Sequence, residues 1–141
     1  MNSKLPISNI FAHKINEKRQ SDLIKQVNNK AVLIFCNTEL SETESELLTK
    51  ILGAIQYDLT KDALIVSLEE KDQVHVAPLL VESIQLVVAF GCTPTQLQTH
   101  IADQKYKAQH LLSRKFIFSD PLAALLENKT LKMALWNALK S

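Results

Sequence analysis

With 141 residues, 46% of them hydrophobic and 22% charged, the chain has the make-up of one globular domain, which excludes a disordered, collagenous or disulfide-framework protein. The net charge of +1 conceals an uneven distribution: residues 1–30 carry six Lys/Arg against two acids, residues 31–72 three against nine, and residues 73–141 seven against four. An acidic middle third repels phosphate backbones, so no strong direct nucleic-acid binding is expected; no apolar run is long enough to span a bilayer and residues 1–10 lack the features of a secretory signal, so a cytoplasmic protein with no membrane partner is expected.

Residues 1–13 hold Leu5, Ile7, Ile10 and Phe11 without a helical stripe and read as an extended N-terminal arm; residues 14–141 read as a single α/β domain. A helix is predicted from about Asn16 to Val27, stopped at Asn28-Asn29. The unalternating run from Ala31 to Cys36 fits a strand buried on both faces, as in a parallel sheet. Ser41 with Glu44 forms a capping box, and Leu47, Leu48, Ile51, Leu52 and Ile55 then recur at helical spacing. A second strand is predicted over Ala63–Ser67, a short helix or turn over Ala77–Glu82, and a third strand over Ile84–Phe90. Thr93 as N-cap and Pro94 at the first helical position predict a helix to about Ala102. Lys115–Phe118 is the fourth strand, Asp120-Pro121 repeats the cap-then-proline pattern, and a last helix is expected from about Lys129 to Leu139. The alternation implies a three-layer α/β/α domain with a four-stranded parallel sheet.

Ligands of such sheets sit beyond the carboxyl ends of the strands, here Asn37–Leu40, Ser67–Glu70, Gly91–Thr93 and Ser119–Pro121. A helix start beside Cys36 would make it a nucleophile, but no His or Lys is near in sequence and a buried hydrophobic role fits better. Gly91 sits where a phosphate loop would, without the further glycines such a loop needs. Asp120 is positioned as a general base, although Asp before Pro at a helix start suits a cap. Glu39, Glu42, Glu44 and Glu46 match a helix dipole rather than a cation site. His13, His75, His100 and His110 are never three or four residues apart, and Cys36 and Cys92 lack metal-ligand spacing, so no metal and no cofactor is expected. Met133 and Trp136 flank the apolar stripe of the last helix, at the edge of the core or the centre of a partner surface.

Two stretches carry a family resemblance. Ile84–Leu97, IQLVVAFGCTPTQL, and Ser119–Leu139, SDPLAALLENKTLKMALWNAL, resemble the strand-turn-helix and the closing motif of the uracil-DNA glycosylase superfamily, especially its iron-sulfur branch. The resemblance implies a uracil-DNA glycosylase-like fold over about residues 16–141. The departures from that pattern concern chemistry. Where the family has a Gly-rich loop with the water-handling acid or Asn, this chain reads Phe35-Cys36-Asn37-Thr38-Glu39-Leu40; the His of the closing His-Pro pair aligns with Asp120; and the cluster cysteines are missing. Leu33–Leu52 and Ser119–Trp136 are also similar to the psi-subunit family of bacterial DNA polymerase III, which implies that fold without the excision chemistry. Psi subunits link the clamp loader, through an N-terminal segment, to a further subunit.

The expected function is therefore a non-catalytic interaction subunit of the replication machinery. Its partners would be proteins, clamp-loader subunits among them, bound through Leu5, Ile7, Ile10, Phe11 and Trp136. The alternative is a base-excision glycosylase with an atypical site of Asn37, Ser119 and Asp120. A third reading is a small-anion site on main-chain N–H groups at Gly91–Thr93.

Overall fold

The computed structural model describes residues 16–141, so the arm of residues 1–13, with Leu5, Ile7, Ile10 and Phe11, lies outside the described residues. The elements in chain order are α1 (Glu17–Gln26), β1 (Val32–Cys36), α2 (Glu42–Ala54), α3 (Leu59–Asp62), β2 (Ala63–Ser67), a 3-10 turn (Ala77–Leu79), β3 (Leu86–Phe90), β4 (Gln109–Leu111), β5 (Arg114–Ser119), α4 (Leu122–Leu126) and α5 (Lys129–Lys140).

The sheet has five strands in the order β2-β1-β3-β5-β4. The first four in that order are parallel, while β4 pairs antiparallel with β5. The expected four-stranded sheet is thus corrected to five, with an antiparallel edge. β4 escaped notice because it is three residues long and its turn, Leu112-Ser113, has no glycine or asparagine. Both residues adopt positive φ, 50° and 67°, the two-residue hairpin conformation that those residue types normally supply. Arg114 steadies the turn: its guanidinium donates to Leu112 O at 2.6 Å, Ile84 O at 3.0 Å and Val81 O at 2.8 Å.

β1 and β3 are buried along their whole length, as their unalternating sequences require. Alternate residues feed two cores. Leu33, Phe35, Val66, Val87, Ala89, Phe116 and Phe118 pack with Leu23 and Val27 of the α1 region and with Val74, Val76, Leu79 and Leu97. Val32, Ile34, Cys36, Val88, Phe90 and Ile117 pack with Leu48 and Leu52 of α2, Leu122 and Leu125 of α4, and Leu135 and Leu139 of α5. Both faces are covered, but unequally: the first is closed by one helix and an irregular segment. The helix expected from Pro94 to Ala102 is absent. Thr93 does cap a turn, its Oγ1 accepting from Gln96 N at 3.3 Å, but Gln98 enters the left-handed region at φ 57° and Thr99 N–H returns to Pro94 O, which closes the turn.

Other helix starts carry a capping side chain. Asn16 Oδ1 accepts from Arg19 N, Ser41 and Glu44 form the reciprocal capping box, and Asn128 Oδ1 accepts from Leu131 N. At the far end of α5 Lys115 Nζ donates to Leu139 O at 3.2 Å, a cation at the negative end of the helix dipole. No helix among the described residues is long and apolar enough to cross a membrane.

Candidate functional site

The carboxyl ends of β1, β2, β3 and β5 converge because main-chain bonds continue past the strands: Leu68 N–H to Cys36 O at 2.8 Å, Asn37 N–H to Phe90 O at 3.1 Å, and Gly91 N–H to Ser119 O at 2.8 Å. Gly91 makes this approach possible. Its φ is +75°, and a Cβ there would lie 2.7 Å from Asn37 Cγ and 2.9 Å from Pro121 Cγ. Asn37 and Pro121 therefore close over Gly91, joining the loops after β1, β3 and β5.

Two crevices meet at Asn37. One, of about 500 Å³, is lined by Arg19, Asn37, Glu39, Glu69 and Asp72 among others; the second, of about 330 Å³, by Asn37, Glu70, Gly91, Thr93 and Gln96 among others. Three carboxylates thus share the first crevice with one guanidinium, while Glu70 lines the second, and that guanidinium is engaged: Arg19 donates to Ser67 O and lies 3.7 Å from Asp72. The mouth of the sheet is anionic. The half-buried Asn37 carboxamide makes no hydrogen bond to any side chain or carbonyl among the described residues.

Ser119 and Asp120 belong to a different set of contacts. Asp120 Oδ1 accepts from Lys105 Nζ at 2.9 Å, and Oδ2 accepts from the Tyr106 hydroxyl at 2.7 Å, which in turn accepts from Asp120 N–H at 3.2 Å. The buried Ser119 Oγ donates to Asp120 O at 2.9 Å. The Lys105 and Tyr106 hydrogen bonds hold the Asp120 carboxyl below the usual carboxylate range, and burial above all pushes the Tyr106 phenol up. A carboxylate with both oxygens occupied and a lowered pKa is a weak general base. The cap role expected for Asp120 is also overturned: Pro121 occupies the N-cap position of α4 with no side-chain cap bond, because Asp120 turns to the 105–106 segment instead. That segment docks on β5 through the Lys105–Phe118 bridge and Tyr106 N–H to Phe118 O at 2.8 Å. The sequence offered no local sign of it; only the isolated Tyr106 within a polar stretch hinted at a buried contact.

Cys36 has the buried, hydrophobic setting expected of it. Cys36 and Cys92 are both buried free thiols whose pKa is pushed up to about 12 by burial, with Cys92 and Glu44 adding to the effect on Cys36. The anion-site reading loses two of its three donors. Gly91 N–H is bonded to Ser119 O and Thr93 N–H to Gln96 Oε1 at 3.1 Å, and no helix follows to supply a dipole. Among the described residues no group of three His, Cys, Asp or Glu is placed to hold a metal ion. On α5, Trp136 is half-buried with Lys140 Nζ 5.3 Å from its ring centroid, and Met133 is 52% exposed. Trp136 thus lies at the rim of the core, on a different element from Asn37.

No family model, no curated protein and no solved structure matches the chain.

Proposed function

We propose that the chain is a non-catalytic interaction subunit of the bacterial replication machinery, glycosylase-like in architecture and psi-like in role, working in the cytoplasm with protein partners that include clamp-loader subunits. The observation that carries the non-catalytic half is the state of Asp120. The acid standing where the glycosylase resemblance would put a catalytic His is spent on Lys105 and Tyr106. The anionic crevice around Glu39, Glu69, Glu70 and Asp72 adds to it, since it opposes the approach of a phosphate backbone to the strand ends. The replication half rests on the sequence resemblance, with Leu5, Ile7, Ile10 and Phe11 as anchors and Trp136 as a further contact.

One observation favours the alternative, a base-excision glycosylase using Asn37, Ser119 and Asp120: the Asn37 carboxamide lines both crevices and makes no hydrogen bond to a neighbour among the described residues. Incubation of the purified chain with single- and double-stranded DNA containing uracil or other damaged bases discriminates the two. The interaction reading expects no base release. Release that disappears in Asn37→Ala would establish the glycosylase instead.

A further inference from the structure

Helix α5 carries three lysines and no acid. At about 100° per residue, Lys129, Lys132, Met133, Trp136 and Lys140 fall within about 100° of arc, bordered on one side by the buried Leu139, with the buried Leu135 and Ala138 further round the helix. Lys129, Lys132, Met133 and Lys140 are exposed and Trp136 is half-buried. The stripe runs about 16 Å along the helix. Its centre is apolar, Met133 and Trp136; its two ends are cationic.

Helix stability does not account for this arrangement. The first turn of a helix favours acids, and α2 obeys with Glu42 and Glu44. In α5 the first turn has no acid and begins with Lys129, with Lys132 one residue beyond, so these two cations stand against the dipole. Nor do the lysines serve ion pairs: Arg19–Asp72 and Lys105–Asp120 are the ion pairs among the described residues.

We infer that the α5 stripe is a docking surface for a short acidic protein segment carrying one or two large apolar side chains among its carboxylates. Charge complementarity names the partner's sign, and Met133 with Trp136 names its anchors. A single-stranded nucleic acid fits less well. Bases stack on an open aromatic face, whereas Lys140 lies over the Trp136 ring. The inference deepens the interaction reading and rests on it, but concerns a surface distinct from the arm.

Trp136 is the only tryptophan, so its fluorescence reports from the stripe itself. The full chain is titrated with a synthetic peptide of about 12 residues, Asp and Glu with two leucines at helical spacing. Its lysine-for-acid counterpart, an oligothymidylate of matching length and phosphatidylglycerol vesicles are run in parallel. Only the acidic peptide is expected to give a saturable change, weakening as salt rises. In the Lys129→Glu, Lys132→Glu double variant its affinity falls tenfold or more. That variant places acids at the dipole's positive end, so it unfolds no earlier than the parent, and loss of binding is not loss of fold. No saturable change with the acidic peptide, tighter binding of the oligonucleotide or the vesicles, or undiminished binding by the double variant overturns the inference. Failure there with partner capture through the arm intact removes the stripe and leaves the interaction reading standing.

Discussion

Gly91 and Gly53, the two glycines of the chain, make opposite predictions. Gly91→Ala would place a methyl group 2.7 Å from Asn37 Cγ in a left-handed conformation, and combined strain and displacement should cost about 2–3 kcal/mol. Gly53, inside α2 with nothing within 4 Å of an added Cβ, should gain about 0.5–1 kcal/mol on conversion to Ala. Chemical denaturation of both variants checks the pair. Asp120 supplies a pH prediction. Its folded-state pKa is lowered, first by Lys105 and then by Tyr106, so its contribution is complete above the unfolded-state value of about 4 and is lost as pH falls through the lower folded value. Lys105 and Tyr106 are shifted upward, so their share is complete below their unfolded values of about 10 and is lost as pH rises through the folded ones. Asp120→Asn should therefore cost about 1 kcal/mol at pH 7, and the gap to the parent should close below about pH 4. A gap that persists unchanged at pH 3 would contradict the assignment.

Among the elements, those whose signals lie within a few residues were legible. The Ser41–Glu44 box, the helix starting near Asn16 and the strands β1, β2, β3 and β5 all stand where periodicity and capping chemistry put them. What escaped has its cause in contacts distant along the chain. β4 and its Leu112-Ser113 turn are held by Arg114 reaching Val81 and Ile84, some thirty residues back. The turn after Thr93 stops short of a helix because Gln98 goes left-handed while its Nε2 donates to Gln73 Oε1 at 2.7 Å. Lys105 and Tyr106, the partners that define Asp120, are fourteen or more residues away from it in sequence, and no spacing rule reaches them. Arg114→Ala tests the hairpin directly. It strips three carbonyls of a charged donor and should cost about 2 kcal/mol after allowance for partial exposure, together with faster amide exchange over residues 109–115. Unchanged exchange there would mean that the hairpin does not depend on the guanidinium.

At the scale of the whole molecule, the charge at the strand ends opposes the approach of a phosphate backbone. The strand-end crevice gathers Glu39, Glu69, Glu70 and Asp72, and α2 opens beside them with Glu42, Glu44 and Glu46. Of the cations, Arg19 lines the crevice but is engaged by Ser67 O and Asp72. Binding to duplex DNA should accordingly be weaker than about 10 μM near 150 mM salt, in the range of non-specific association or below it, as fluorescence anisotropy would measure. The Asn37 loop, legible as a strand end but not as a crevice wall, owes its position to Gly91 and Pro121, which only the folded sheet brings to it. The proposal is that this chain works by binding proteins through residues 1–13 and not by chemistry at the strand ends. Its most direct test is affinity capture from host extract with the full chain and with a version lacking residues 1–13, the thermal unfolding of both being followed. The account predicts that the full chain retains clamp-loader subunits, and that the truncated chain loses them while its stability stays within about 1 kcal/mol. A truncated chain that unfolds, or one that still holds the same partners at full affinity, would contradict it.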